Sequence, residues 1–87
     1  MSTISQILKD YRVQNALSMH AMSDRLDISQ SYVCRIETEN IIPSSAILDR
    51  LALLTGILRS EIYRIAKKLP PEEIEIAKSK FLNRIDD

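Results

Sequence analysis

The chain has 87 residues, 45% hydrophobic and 28% charged, a mix that suits one small globular domain and excludes a disordered chain. Twelve basic residues balance twelve acidic ones, and the signs also balance on either side of residue 60. Neither part is a polybasic arm or an acidic tail, so bulk charge alone does not hold a polyanion.

Cys34 is the single cysteine and His20 the single histidine. An internal disulfide is therefore impossible, and the soft ligands of a structural zinc site are too few. The polar, charged start MSTISQILKDYR is no secretory signal, and no stretch reaches the ~18 apolar residues of a membrane span. A cytoplasmic location is expected. There is no GxGxxG, GxxxxGK, HExxH or GxSxG, and Gly56 is the one glycine. No enzyme activity, cofactor, metal or small-molecule ligand is expected.

The scarcity of glycine favours helices, and the apolar spacing agrees. Ile4, Ile7, Leu8 and Tyr11 form a helical stripe over residues 3–15. Ser18 is placed to cap a second helix at 19–26, with Met22 and Leu26 inward. Ser29 is placed to cap a third at 30–38, with Val33, Ile36 and in part Tyr32 inward. Residues 38–43 form a loop. Ser44 is the cap candidate of a fourth helix at 45–54, which buries Ile47, Leu48, Leu51, Ala52 and Leu54 and stops at Gly56. A fifth helix runs over 59–68, with Ile62, Ile65 and Ala66 inward, and ends at Leu69-Pro70-Pro71. Pro71 opens a sixth at 71–85, acidic in its first turns and basic in its last, the order a helix dipole favours. No strand alternation or internal repeat interrupts this pattern.

The informative stretch is Leu17 to Pro43, LSMHAMSDRLDISQSYVCRIETENIIP. Two short helices meet across a turn of about three residues, the spacing of a helix-turn-helix. A major groove about 12 Å wide admits one helix, and each base pair there shows a distinct pattern of donors and acceptors. A reading helix needs small, hydrogen-bonding side chains on its outer face. Gln30, Ser31, Cys34 and Arg35 lie on one face of the third helix, while Val33, Ile36 and Glu37 turn away.

On these residues the chain resembles the Cro/repressor (XRE) helix-turn-helix family. Residues 29–37, SQSYVCRIE, resemble its recognition-helix signature, and the likeness extends over residues 4–66 through Asn40–Pro43, Pro43-Ser-Ser, Leu51-Ala and Gly56-Ile57. The resemblance implies an all-α fold. Residues 1–69 would be a five-helix lambda-repressor-like DNA-binding domain, and residues 70–87 an added amphipathic helix for oligomerisation or packing. It implies base contacts from Gln30, Ser31 and Arg35, with Cys34 among them. Ser29, Tyr32, Asn40 and Ser44 would meet phosphates, joined by His20 and Met19. Arg12 and Glu37 would form a structural salt bridge. Three departures stand out. Met19 replaces a common phosphate-binding glutamine, Ser23 a usual alanine, and Asp27 a usual glycine at the turn.

Each reading has a plainer rival. Cys34 as a redox switch competes with Cys34 as a small surface residue. His20 as a pH sensor or phosphate contact competes with a solvated histidine. In the last helix Ile74, Ala77, Phe81, Leu82 and Ile85 form an apolar stripe, with Ile76 to one side. It either folds back on its own domain or, as favoured, pairs with another subunit, joined by Ile57, Leu58 and Tyr63. The expected function is a sequence-specific regulator, a repressor, that binds double-stranded DNA as a homodimer on an inverted repeat. Control is left to concentration, dimer dissociation or a regulatory protein partner. The alternative is an interaction module or antitoxin-like partner that keeps the fold with weak DNA binding or none. Its motive is charge: over residues 29–45 one arginine faces Glu37 and Glu39.

Overall fold

A computed structural model describes the backbone of residues 2–85 and the side chains of residues 2–78. The described residues form six helices and no strand: α1 (Ile4–Gln14), α2 (Met19–Leu26), α3 (Gln30–Glu39), α4 (Ser45–Thr55), α5 (Arg59–Ala66) and α6 (Pro71–Ile85). The first three begin on hydroxyl caps. Thr3, Ser18 and Ser29 accept from the backbone N–H of Gln6, Ala21 and Tyr32 at 3.0–3.1 Å. Each cap satisfies a donor that the first helical turn leaves open. Ser44 occupies the cap position of α4, yet its side chain makes no cap bond.

One core joins α1 to α5. Ile4, Leu8, Met22, Leu26, Val33, Ile36, Leu48, Leu51 and Ile62 are almost wholly buried. α3 packs against α1 and α2, and α5 against α1 and α4. Burying a large aliphatic side chain stabilises by about 1.5–3 kcal/mol, so this cluster dominates the fold. Tyr11, Met19, Tyr32, Leu54 and Ile65 are half-buried against its edge. For Leu54 and Ile65 that is less burial than their helical spacing suggests.

Several helices end on a left-handed residue. Gly56 ends α4 at φ 77°, but Asp27, Asn40 and Lys67 do the same at φ 53–58° while carrying a Cβ. Ala16, just past α1, is left-handed at φ 52°. α5 stops at Ala66, earlier than the prolines require. The backbone N–H groups of Lys67 and Lys68 turn back to the carbonyls of Arg64 and Tyr63.

Tyr63 corrects the sequence reading. It is only 2% exposed and belongs to the core, not to an outer surface beside Leu58. Its hydroxyl donates to the Ser45 carbonyl at 3.2 Å and lies 2.8 Å from Asp49 Oδ1. Burial pushes the phenol's pKa up. The Arg59 guanidinium lies 4.9 Å above the ring centre and also binds Asp49 and Glu72. Arg59 thereby ties the first turn of α6 to α4, and it holds the Glu72 carboxyl below its ordinary pKa. Beyond that tie α6 extends the molecule, whose axes measure 56 × 23 × 20 Å. A 15-residue helix accounts for about 22 Å of such length.

α3 is seated by one ion pair. Arg12 of α1 donates to both carboxylate oxygens of Glu37, at 2.7 and 3.0 Å, and to the Leu17 carbonyl at 3.2 Å. The Glu37 side chain is 4% exposed, and its carboxylate raises the Arg12 pKa further. Removing one partner of such a pair strands the other charge. Glu37→Ala should therefore lower stability by about 3 kcal/mol in chemical denaturation, and Arg12→Met combined with Glu37→Leu should recover part of the loss. A single-mutant cost below about 1 kcal/mol would show that the pair behaves as a solvated surface contact.

Candidate nucleic-acid interface

The interface is built on α2, the turn and α3. Leu26 ends α2 inside the core, and Asp27 reverses the chain in the left-handed region. The Ile28 N–H then donates to the Ser23 carbonyl at 3.0 Å, and Ser29 starts α3. Ser23, where the family's usual residue is alanine, is 3% exposed. Its hydroxyl donates to the His20 carbonyl at 2.6 Å, so the departure leaves no unsatisfied group.

α3 is strongly two-faced. Val33 and Ile36 are buried, while Gln30, Ser31, Cys34 and Arg35 are all exposed on the side away from the core. Thr38 is spent on its own helix and donates to the Cys34 carbonyl at 2.8 Å. Arg35 pairs with Glu39 one turn on, at 3.0 Å, both largely exposed. An exposed pair of this kind is worth only about 0–1 kcal/mol, so a stronger acceptor displaces Glu39 easily.

The flanks carry the remaining candidates. Ser29 accepts the Tyr32 N–H but keeps its own proton free to donate. Tyr32 lies half-buried against the core edge. Asn40 closes α3 in the left-handed region, and a loop leads through buried Pro43 to exposed Ser44. Met19 turns its thioether to the core edge, leaving its backbone N–H at the open first turn of α2. His20 projects from the next position and meets the Gln30 side chain at 2.9 Å. That contact joins two elements and was not legible from periodicity. Of the two acids that the sequence sets against Arg35, Glu39, four residues on, is the one it pairs with.

The family model for the helix-turn-helix matches residues 8–62, which span α2, the turn and α3. The chain belongs to this family. It is a Cro/repressor (XRE) type DNA-binding transcription regulator, in a regulatory family rather than an enzyme family. Neither a curated protein nor a solved structure matches the chain. Among the described residues no cluster of His, Cys, Asp and Glu is placed to hold a metal, and no helix is long and apolar enough to cross a membrane.

Of the three departures from the XRE pattern, only Asp27 places a Cβ in the left-handed region, at φ 58°. That conformation costs a β-carbon-bearing residue free energy, though less for Asp than for most. Asp27→Gly should raise stability by about 0.5 kcal/mol, the turn strain relieved outweighing the extra chain entropy of glycine. A lower melting temperature in the variant would show instead that the Asp27 carboxylate stabilises the turn.

Proposed function

We propose that this regulator is a repressor that binds an inverted-repeat operator as a homodimer, each subunit laying α3 in a major groove. One observation carries the reading. The four small or hydrogen-bonding side chains Gln30, Ser31, Cys34 and Arg35 stand on the free face of a helix whose other face is fixed in the core. Gln30 pairs with adenine and Arg35 with guanine, each through two hydrogen bonds, and Ser31 and Cys34 pack between them. Phosphates are met by Ser29, Tyr32, Asn40 and the Met19 N–H, whereas the His20 ring is taken up by Gln30 and Asp24. Ser44 joins them with a hydroxyl not used as a cap, beside the open N-terminus of α4.

Two-fold symmetry sets the half-sites about 34–36 Å apart, one helical turn. The rival reading, an interaction module or antitoxin-like partner, leaned on two acids beside Arg35. Glu37 is turned inward and neutralised by Arg12, so it does not face a groove. Glu39 is the exposed acid that remains, and it is held by Arg35.

Selection from random duplexes at low salt tests the reading. A palindrome should emerge, with a shallow salt slope of about −3 to −5 per dimer, because few cations face the DNA. Arg35→Ala should relax one base position and cost about 1–3 kcal/mol. Absence of any enriched palindrome would overturn the regulator mechanism, and a uniform loss for Arg35→Ala would make that residue a phosphate contact.

The dimer seam we assign to α6. Among its described side chains Ala77 and Ile76 are exposed and Ile74 half-buried; Phe81, Leu82 and Ile85 lie outside the described side chains. Leu53 and Leu58, 85% and 74% exposed beside a shallow apolar groove at Gly56, extend the apolar surface near the root of α6. Large exposed apolar groups gathered in one region mark interaction sites. Truncation after Leu69 should leave a monomer at micromolar concentration by analytical ultracentrifugation. A truncated protein that still dimerises would move the seam to the Leu53–Leu58 surface.

A further inference from the structure

Gln30 does not stand alone on the outer face of α3. Its side-chain nitrogen lies 2.9 Å from Nδ1 of His20 on α2. The other ring nitrogen, Nε2, lies 3.5 Å from Oδ2 of Asp24, one turn along α2. The His20 side chain is 69% exposed, so neither contact is forced by burial. An amide nitrogen can only donate. With the amide nitrogen as donor, Nδ1 accepts, and a neutral ring then carries its single proton on Nε2, the nitrogen nearer Asp24. The Gln30 amide donates to one ring nitrogen, and the Asp24 carboxylate lies beyond the other.

We propose that His20 is a positioning residue that decides which base Gln30 reads. The proposal rests on the reading above, in which Gln30 meets a base edge. With the ring neutral, one amide hydrogen is engaged. The amide oxygen and the second hydrogen remain free, an acceptor beside a donor. Adenine offers the complement in the major groove, the N6–H donor beside the N7 acceptor. A protonated ring donates from both nitrogens. Nδ1–H then needs an acceptor, so the Gln30 amide turns its oxygen to the ring and its NH₂ group outward. Two donors match N7 and O6 of guanine. One proton thereby exchanges adenine for guanine as the preferred partner at a single operator position.

Few charged groups surround the ring. On α2 the facing charged group is Asp24. α2 packs against α3 and α4. From α3 the facing group is uncharged Gln30, while Arg35 is engaged by Glu39. On α4, Asp49 is held by Arg59 and Tyr63. The chain has one histidine, the side chain whose ordinary titration falls between about pH 5 and 8.

The test uses the full chain and two duplexes that differ only at the base pair whose preference Gln30→Ala removes in the selection. For the native protein, the preference for adenine over guanine should fall about tenfold from about pH 7.5 to about pH 5.5. The added charge on His20 strengthens binding to both duplexes alike and cancels in the ratio. His20→Phe keeps a ring but no ring nitrogen; it should flatten the preference at this position, abolish its pH dependence and leave the rest of the selected sequence intact. A pH-independent ratio in the native protein, or the same pH dependence in His20→Phe, overturns the proposal while Gln30 reading stands. If Gln30→Ala changes no base preference, the underlying reading fails and takes this one with it.

Discussion

The Arg12 guanidinium reaches three parts of the chain at once: the Glu37 carboxylate on α3, the Leu17 carbonyl that leads into α2, and α1 through its own backbone. Ser5 adds a second strut from α1, its hydroxyl donating to the Glu37 carbonyl at 2.9 Å. Apolar packing sets how deep α3 sits, but packing is non-directional and tolerates rotation. The two-pronged hydrogen bond has a fixed plane and direction. With Val33 and Ile36 it fixes the inner face of α3, and Gln30, Ser31, Cys34 and Arg35 are among the side chains left outside.

The same pair alters the meaning of the charge balance. A chain of zero net charge is poorly suited to hold DNA by ion exchange alone. Much of its charge is already committed to internal partners. Arg12 faces Glu37, Arg59 bridges Asp49 and Glu72, Arg64 meets Glu61, and Arg35 meets Glu39. In the recognition proposed above, hydrogen bonds, open helix N-termini and two-fold symmetry take the place of bulk charge. On that reading, weak attraction to arbitrary DNA would leave discrimination to the base edges.

Most helix starts and both faces of α3 were legible in the sequence, because hydroxyl caps and a 3.6-residue stripe are local signals. Tyr63 was not. It lies beside Ile62 on the helix, and its burial depends on Ser45 and Asp49 meeting its hydroxyl from α4. The end of α5 was missed for a related reason. Prolines at positions 70 and 71 mark where a helix must stop, whereas Lys67 stops it earlier through backbone bonds that no residue preference announces. The unused Ser44 cap and the His20–Gln30 contact depend on how helices approach one another, and spacing along one helix carries no record of that.

The left-handed stops carry a consequence for folding. Among the described residues the left-handed ones besides Gly56 are Ala16, Asp27, Asn40 and Lys67, each with a Cβ that disfavours the conformation, less so in Asp and Asn. Local backbone bonds close the stops at Ala16, Asp27 and Lys67, and the packed core offsets what each Cβ costs there. Helix ends and core then support one another, since the stability of the core is what allows residues with a Cβ to stay left-handed.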